Sequence, residues 1–245
     1  MHISCFNPAF WLVILTLSTS ISYAKFPPVP EGLTVVQSKH HPGVSISYKQ
    51  PGICETTPGV KSYSGYVHFA PHAINETGEN QSYPLNTFFW FFESRKDPAT
   101  APLVIFLNGG PGGPSSGHAL GPLGPSNIDV PHGDTKLNPE SWNNEANLLL
   151  IDQPNHVGFS YDVLTNYTVK RYKEDFASSY ISPELPFEYQ LMDNATVIGR
   201  ASSDRLSTTA NTTTHAAAVL WHFAQSWFTE LVYMQDEMHP TTDMY

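Results

Sequence analysis

The sequence predicts an α/β protein, a mixed sheet flanked by helices. Three observations lead there. "APLVIFLNGG" (101–110) and "ANLLLIDQP" (146–154) are short continuous apolar runs, as expected of interior strands in a mixed or parallel sheet. The first run passes directly into a glycine-proline loop at Asn108. Far downstream, "TTTHAAAVLWHFAQSWFTELVYM" (212–234) has the periodicity of a long amphipathic helix. Sheet strands first and a packing helix later is the opening half of a sheet-with-helices fold.

From the N-terminus, "AFWLVILTLSTSI" (9–21) is too short an apolar run for a comfortable membrane span, and Ser22 and Ala24 occupy small-residue positions before Lys25. Residues 1–24 therefore read as a cleaved signal peptide. The alternative is a retained anchor, because His2 is the sole basic side chain ahead of the run. Residues 25–50 are Pro-rich and read as an irregular arm. "YSGYVHFA" (63–70) alternates as a strand, and the aromatic run "LNTFFWFFESR" (85–95) predicts a strand buried on both faces. The polar stretch between them reads as a surface loop. Further strands are expected at 102–107 and 147–152, separated by Gly/Pro-rich chain from Pro111 to Asn144. From 165 to 214 Ser, Thr and Asn rise and apolar periodicity fades, so this segment reads as an irregular insertion. In the helix, expected near 215–233, Val219, Phe223, Trp227 and Leu231 form one row and Leu220, Ala224, Phe228 and Val232 its neighbour. The threonines before Ala216 are placed to cap its start. Another strand is expected after such a helix, whereas the chain runs through "QDEMHPTTDMY". The organisation is thus a leader, 1–24, and one domain, 25–245, which reads as incomplete.

Composition narrows the function. With 40% hydrophobic and 13% aromatic residues in 245, the chain has the material for a real core. A net charge of -10 argues against nucleic acid as a partner. Sequons at Asn75, Asn80, Asn166, Asn194 and Asn211 fit a glycosylated protein of the secretory pathway. Cys5 would leave with the leader, stranding Cys54. That cysteine reads either as half of a disulfide whose partner is absent or as a buried inert thiol. No pattern implies a metal or a cofactor.

The loop carries the chemical question. Gly113, Pro114, Ser115, Ser116 and Gly117 match G-x-S-x-G, the pattern of a nucleophile elbow. An elbow needs its serine directly after the strand and a helix directly after the serine. Here Asn108 to Gly112 intervene, and Gly121, Pro122, Gly124 and Pro125 would break any helix on the far side. None of His118, His132, His156, His215, His222 and His239 sits in a persuasive catalytic setting. The loop makes better sense as an anion cradle: successive glycines let N–H groups point into a cavity, and Asn108 adds an amide at its lip.

These residues resemble the serine carboxypeptidase family, in particular its secreted fungal members. The resemblance rests on "GICETTPGVKSYSGYV" (52–67), "LNGGPG" (107–112) with Ser115 and Ser116, "SWNNEANLLLIDQPNHVGFSYD" (141–162) and "TANTTTHAAAVLWHFAQSWF" (209–228). It implies an α/β-hydrolase-like fold, truncated before the nucleophile strand. In that family a glycine-flanked serine elbow comes after the last of these segments, and the acid and histidine come later still. The chain is therefore expected to carry the binding loop without a triad and to be inactive as written. By resemblance, Asn108 matches the residue whose amide binds the substrate's terminal carboxylate, Gly109 one whose N–H assists, and Gly110 the glycine whose N–H enters the oxyanion hole. The matching cysteine usually pairs far downstream, which gives Cys54 an account. Departures bear on the pocket's shape. Two residues, Gly113 and Pro114, stand where one is usual, the span from Ser116 to Gly124 looks short, and His156 replaces a usual glycine.

The implied function is release of C-terminal amino acids from peptides or proteins, in an extracellular or vacuolar setting, with no stable membrane anchor after signal cleavage. The competing readings are an inactive secreted glycoprotein that keeps a peptide-carboxylate-binding loop, and an esterase or acyltransferase of the same fold.

Overall fold

The computed structural model describes residues 31–74, 81–129, 134–170, 196–203, 205–210 and 212–238. The expected leader, Cys5 and four of the sequons (Asn75, Asn80, Asn194 and Asn211) lie outside the described residues.

Six strands make the main sheet: β1 (Thr34–Gln37), β2 (Val44–Lys49), β3 (Ser62–Phe69), β4 (Leu85–Phe92), β5 (Leu103–Phe106) and β8 (Asn147–Ile151), in the order β1-β2-β3-β4-β8-β5. All pairs are antiparallel except β5 with β8, so the sheet is mixed. β6 (Ser126–Asp129) and β7 (Asp134–Leu137) form one small ribbon, and β9 (Leu164–Lys170) and β10 (Thr196–Ser202) another. One long helix, α1 (Thr213–Met238), comes last, and short 3-10 turns lie at Ser116–Leu120, Trp142–Asn144 and Leu206–Thr208. Among the described residues no helix is long and apolar enough to cross a membrane.

β4 explains the layering. All eight of its residues are buried. Because successive side chains point to opposite faces, Phe89 and Phe91 join Leu149, Ile151, Val219, Phe223 and Trp227 on one side of the sheet. Phe88, Trp90 and Phe92 join Leu148, Leu150, Cys54 and Ala119 on the other. α1 covers the first face: Trp227 lies edge-on to Phe89 at 6.2 Å and tilted to Phe91 at 5.7 Å. The helix starts where Thr212 Oγ1 accepts the His215 N–H at 3.1 Å, as the threonine cap predicts.

The structure corrects three expectations. Residues 25–50 are not wholly an irregular arm, since 34–37 and 44–49 are strands. Val44, Ile46 and Tyr48 alternate toward the core, and the prolines at 42 and 51 only punctuate the strand from outside. β5 is not interior among the described residues: it ends the sheet, and Ile105 is 43% exposed. The 165–214 segment is not irregular throughout, because β9 and β10 pair over seven residues, from Leu164 with Ser202 to Lys170 with Thr196. The sequon residue Asn166 lies in that ribbon opposite Arg200. In α1, only the row of Val219, Phe223 and Trp227 is fully buried, while Phe228 of the neighbouring row remains 45% exposed.

Candidate functional site

Two loops meet at the C-terminal ends of the parallel pair, one after β5 and one after β8. β5 ends at Phe106, and the Gly-rich loop then turns back on itself. Ser115, only 1% exposed, accepts the Asn108 N–H on its Oγ at 2.9 Å, which closes the loop at its base. Gly113 N–H donates to Gly109 O at 3.1 Å across the turn. A Cβ on Gly113 would stand 2.6 Å from both Asn108 Nδ2 and Gly109 O, so this position must be glycine for the loop to close on Asn108.

The hydrogen bond to Ser115 also settles what that serine does locally. Its backbone is ordinary right-handed helical, φ -77° and ψ -32°, with none of the strain an elbow imposes. Its oxygen is occupied by Asn108, and among the described residues no histidine bonds it. Ser115 is a structural brace of the loop.

Asn108 and Gly109 form a local unit. The Gly109 N–H donates to Asn108 Oδ1 at 2.9 Å, and Asn108 Nδ2 makes a long 3.3 Å contact with Pro114 O. The amide oxygen is thereby engaged, and the Nδ2 group retains a hydrogen at the exposed rim. The Gly109 N–H thereby orients the Asn108 amide. Gly110 is exposed at φ +135°, a conformation that favours glycine, and its N–H donates to no group among the described residues.

Asp152, fully buried at the end of β8, joins the two loops. Its Oδ1 accepts the Ser116 N–H at 2.8 Å; its Oδ2 accepts the Ser116 hydroxyl at 2.8 Å and the Phe159 N–H at 3.0 Å. Gly158, at φ +56°, lies so close that a Cβ there would collide with the Asp152 carboxylate and come within 2.9 Å of Pro114. Pro114, one of the two residues in the lengthened linker, thus packs onto the second loop. Sequence reasoning missed Asp152 because Ser116, the partner across the two loops, is 36 positions away; only its place at a strand end marks it.

The second loop is anchored in turn to β4. Asn86 Nδ2 donates to the carbonyls of Tyr161 and Asp162, and Phe88 N–H donates to Ser160 Oγ. Asn86 Oδ1 accepts from His68 Nδ1 at 2.6 Å, which leaves His68 Nε2 to accept from Ser47. Burial holds the His68 imidazole below its ordinary range, outweighing the bond to Asn86, so His68 is a neutral strut.

Asp162 is the most connected carboxylate among the described residues. Burial alone would raise it. Donation from the Ser203 hydroxyl, the Val163 N–H, the Thr208 hydroxyl and the Ser203 N–H outweighs that and holds it below the usual carboxylate range. A serine and a histidine lie close by: Ser202 Oγ is 2.6 Å from His156 Nδ1. The order is wrong for a triad, since Thr208 stands between His156 Nε2 and Asp162, and Ser202 itself leans on Asp162 at 3.3 Å.

Cys54 is a free thiol, 3% exposed among Phe88, Trp90, Phe92 and Ala119. Burial pushes it up to about 11. No group of His, Cys, Asp and Glu able to hold a metal occurs among the described residues.

The serine carboxypeptidase family model matches residues 51–239. The chain is 49% identical over 220 residues to carboxypeptidase S1 homolog B of Arthroderma otae, covering 89% of this chain and 33% of that protein. It is 44% identical over 218 residues to carboxypeptidase S1 homolog A of Trichophyton rubrum, with the same coverage. A solved prohormone-processing carboxypeptidase from Saccharomyces cerevisiae shares 34% identity over 43% of this chain and 22% of its own, at a TM-score of 0.34. The chain spans about a third of the length of the curated relatives it matches. By its family match and by the identity of these relatives, the chain belongs to the serine carboxypeptidase family.

Proposed function

We propose that the loop from Asn108 to Gly110 reads the terminal carboxylate of a peptide and contributes one donor to the oxyanion hole of a serine-type carboxypeptidase. The observation that carries the reading is the exposed Gly110 N–H beside an Asn108 amide whose oxygen is already engaged by Gly109. A terminal carboxylate loses water on binding, and charge-assisted donors offset that loss. An N–H aimed at developing negative charge typically contributes about a hundred- to a thousandfold in rate. Nucleophile, acid and base are assigned to chain beyond this third of the family's length. Passage through the secretory pathway, cleavage near Ala24, glycosylation at the sequons and a disulfide from Cys54 belong to the same reading.

The test is a chimera in which residues 51–239 replace the matching third of the Arthroderma otae relative. It is expected to release C-terminal residues from free peptides. Asn108→Ala should lower kcat/KM on these by roughly 10- to 100-fold, the loss of one charge-assisted bond. Amidated or esterified C-termini should lose much less. Equal losses on free and blocked substrates would show that Asn108 only shapes the loop.

A further inference from the structure

The stretch from Gly113 to Ser116 holds Asn108 and Gly109 on one side and Asp152 on the other. The Gly113 N–H donates to Gly109 O at 3.1 Å. Pro114 O accepts from Asn108 Nδ2 at 3.3 Å, and Ser115 Oγ accepts the Asn108 N–H at 2.9 Å. Ser116 gives its N–H and its hydroxyl to the two oxygens of Asp152, each at 2.8 Å. The tandem serines thus divide the work: one reaches up to the rim of the loop, the other down to a buried carboxylate.

Asn108 depends on this stretch for its position. Its Oδ1 is held by the Gly109 N–H, the next residue of its own chain, so that bond fixes the amide only relative to its own backbone. The contact of Nδ2 with Pro114 O is long and exposed, and contributes little by itself. The backbone is what remains to be held. β5 ends at Phe106 and is paired on one side only, with β8, among the described residues. Beyond that end the Asn108 N–H goes to Ser115 Oγ, which is buried. That oxygen is a fixed point because the next residue is tied to Asp152. Asp152 is itself set in the sheet: its N–H donates to Phe88 O at 3.1 Å, and its carbonyl accepts from Ser160 Oγ at 2.6 Å. The rim amide is referred to the sheet through Asn108, Ser115, Ser116 and Asp152 in series.

We propose that Ser115 and Asp152 are positioning residues for recognition of the terminal carboxylate: Ser115 sets where the Asn108 amide stands, and Asp152 sets Ser115 through Ser116. The proposal rests on the reading of Asn108 as a carboxylate donor. A charge-assisted bond weakens steeply with distance and angle, so a donor displaced at the rim loses much of its contribution. Ser115 lies buried beneath the loop and acts through Asn108. The preference for free over blocked C-termini then depends on a hydroxyl held below the binding surface. A blocked terminus lacks the full charge and gains less from the amide, so a misplaced Asn108 costs it less.

The test uses the chimera that carries residues 51–239, with rates referred to active sites titrated by an organophosphate, so that unfolded enzyme does not count. The quantity read is kcat/KM on a free peptide divided by kcat/KM on the same peptide amidated. Ser115→Ala should lower this ratio roughly 3- to 10-fold, the loss of one neutral hydrogen bond. Ser115→Thr and Ser115→Val have the same shape and only threonine keeps the oxygen, so the threonine variant should hold the higher ratio. Asp152→Asn should lower the ratio as well. In an Asn108→Ala background neither Ser115→Ala nor Asp152→Asn should lower it further, because the amide they place is gone. A Ser115→Ala loss that is undiminished in that background overturns the proposal, and so do equal ratios for the threonine and valine variants. If Asn108→Ala lowers the ratio and Ser115→Ala does not, the positioning role alone is overturned. If Asn108→Ala leaves the ratio unchanged, the carboxylate reading itself falls and the proposal with it.

Discussion

At the scale of single residues, the loop is built by side chains that hold other groups in place. Ser115 matches the letters of an elbow without its flanks, and its oxygen accepts the Asn108 N–H at the base of the loop. Asp152 carries more structural consequence. Three donors converge on its two oxygens, and it is fully buried. In Asp152→Asn one oxygen becomes an NH2 group. If Oδ1 is kept, that NH2 faces the Phe159 N–H, donor against donor. The variant is expected to lose about 2–3 kcal/mol, the range for charged hydrogen bonds left unmade in a buried setting. Urea denaturation reads this directly. A midpoint equal to wild type would mean that the two loops are held by packing alone. Gly158 supports the same geometry, because any side chain there meets the carboxylate.

At the scale of elements, α1 packs on the sheet chiefly through the row Val219, Phe223 and Trp227, with Leu220 beside it and Glu230 Oε1 accepting the Lys39 N–H at 3.0 Å. Trp227 contacts both Phe89 and Phe91, while its Nε1 is buried without a partner among the described residues. Its contribution is therefore apolar and aromatic. Trp227→Ala should destabilise by about 3–5 kcal/mol, and Trp227→Phe by much less, since Phe restores ring contact and removes the unmet donor. Similar losses for both in thermal unfolding would point to an unseen partner for Nε1. β4 and α1 were legible in sequence because their signals are local: an aromatic run, and apolar residues at i+4 spacing with threonines ahead. β2 was obscured because prolines at both ends read as irregular chain, although Val44, Ile46 and Tyr48 alternate correctly. The glycine loop was legible as a loop leaving the end of its strand. Its braces were not, because Asp152 reaches Ser116 across 36 positions and His156 reaches Ser202 across 46, and no periodicity records such distances.

At the scale of the molecule, two buried carboxylates tie distant stretches of chain, and both make the fold depend on pH in the same direction. Glu55 joins the turn before β3 to the chain after β4: its Oε2 accepts from Arg95 Nε at 3.0 Å and Asn143 Nδ2 at 2.7 Å, and its Oε1 from Thr57 N–H at 2.8 Å. Burial would raise it, but the bonds from Thr57 and Asn143, with the Arg95 charge, hold it below the usual range. Asp162 is held low in the same way, against burial, by Ser203, Val163 and Thr208. A carboxylate lowered in the folded state contributes stability that is full above the unfolded value, near 4 for these groups, and is lost as pH falls through the folded value. The urea midpoint is therefore expected to hold through the neutral range and fall on acidification below about pH 4. Glu55→Gln and Asp162→Asn should each be less stable than wild type at neutral pH, and each should show a shallower acid decline, because the group that took up the proton is gone. The two carboxylates are separable by hydrogen exchange at neutral pH: Asp162 holds Ser203 and Thr208, so Asp162→Asn should speed exchange of residues 205–209, whereas Glu55→Gln should leave them protected and alter only the global midpoint. An Asp162→Asn chain as protected as wild type over 205–209 would show that other contacts hold the segment.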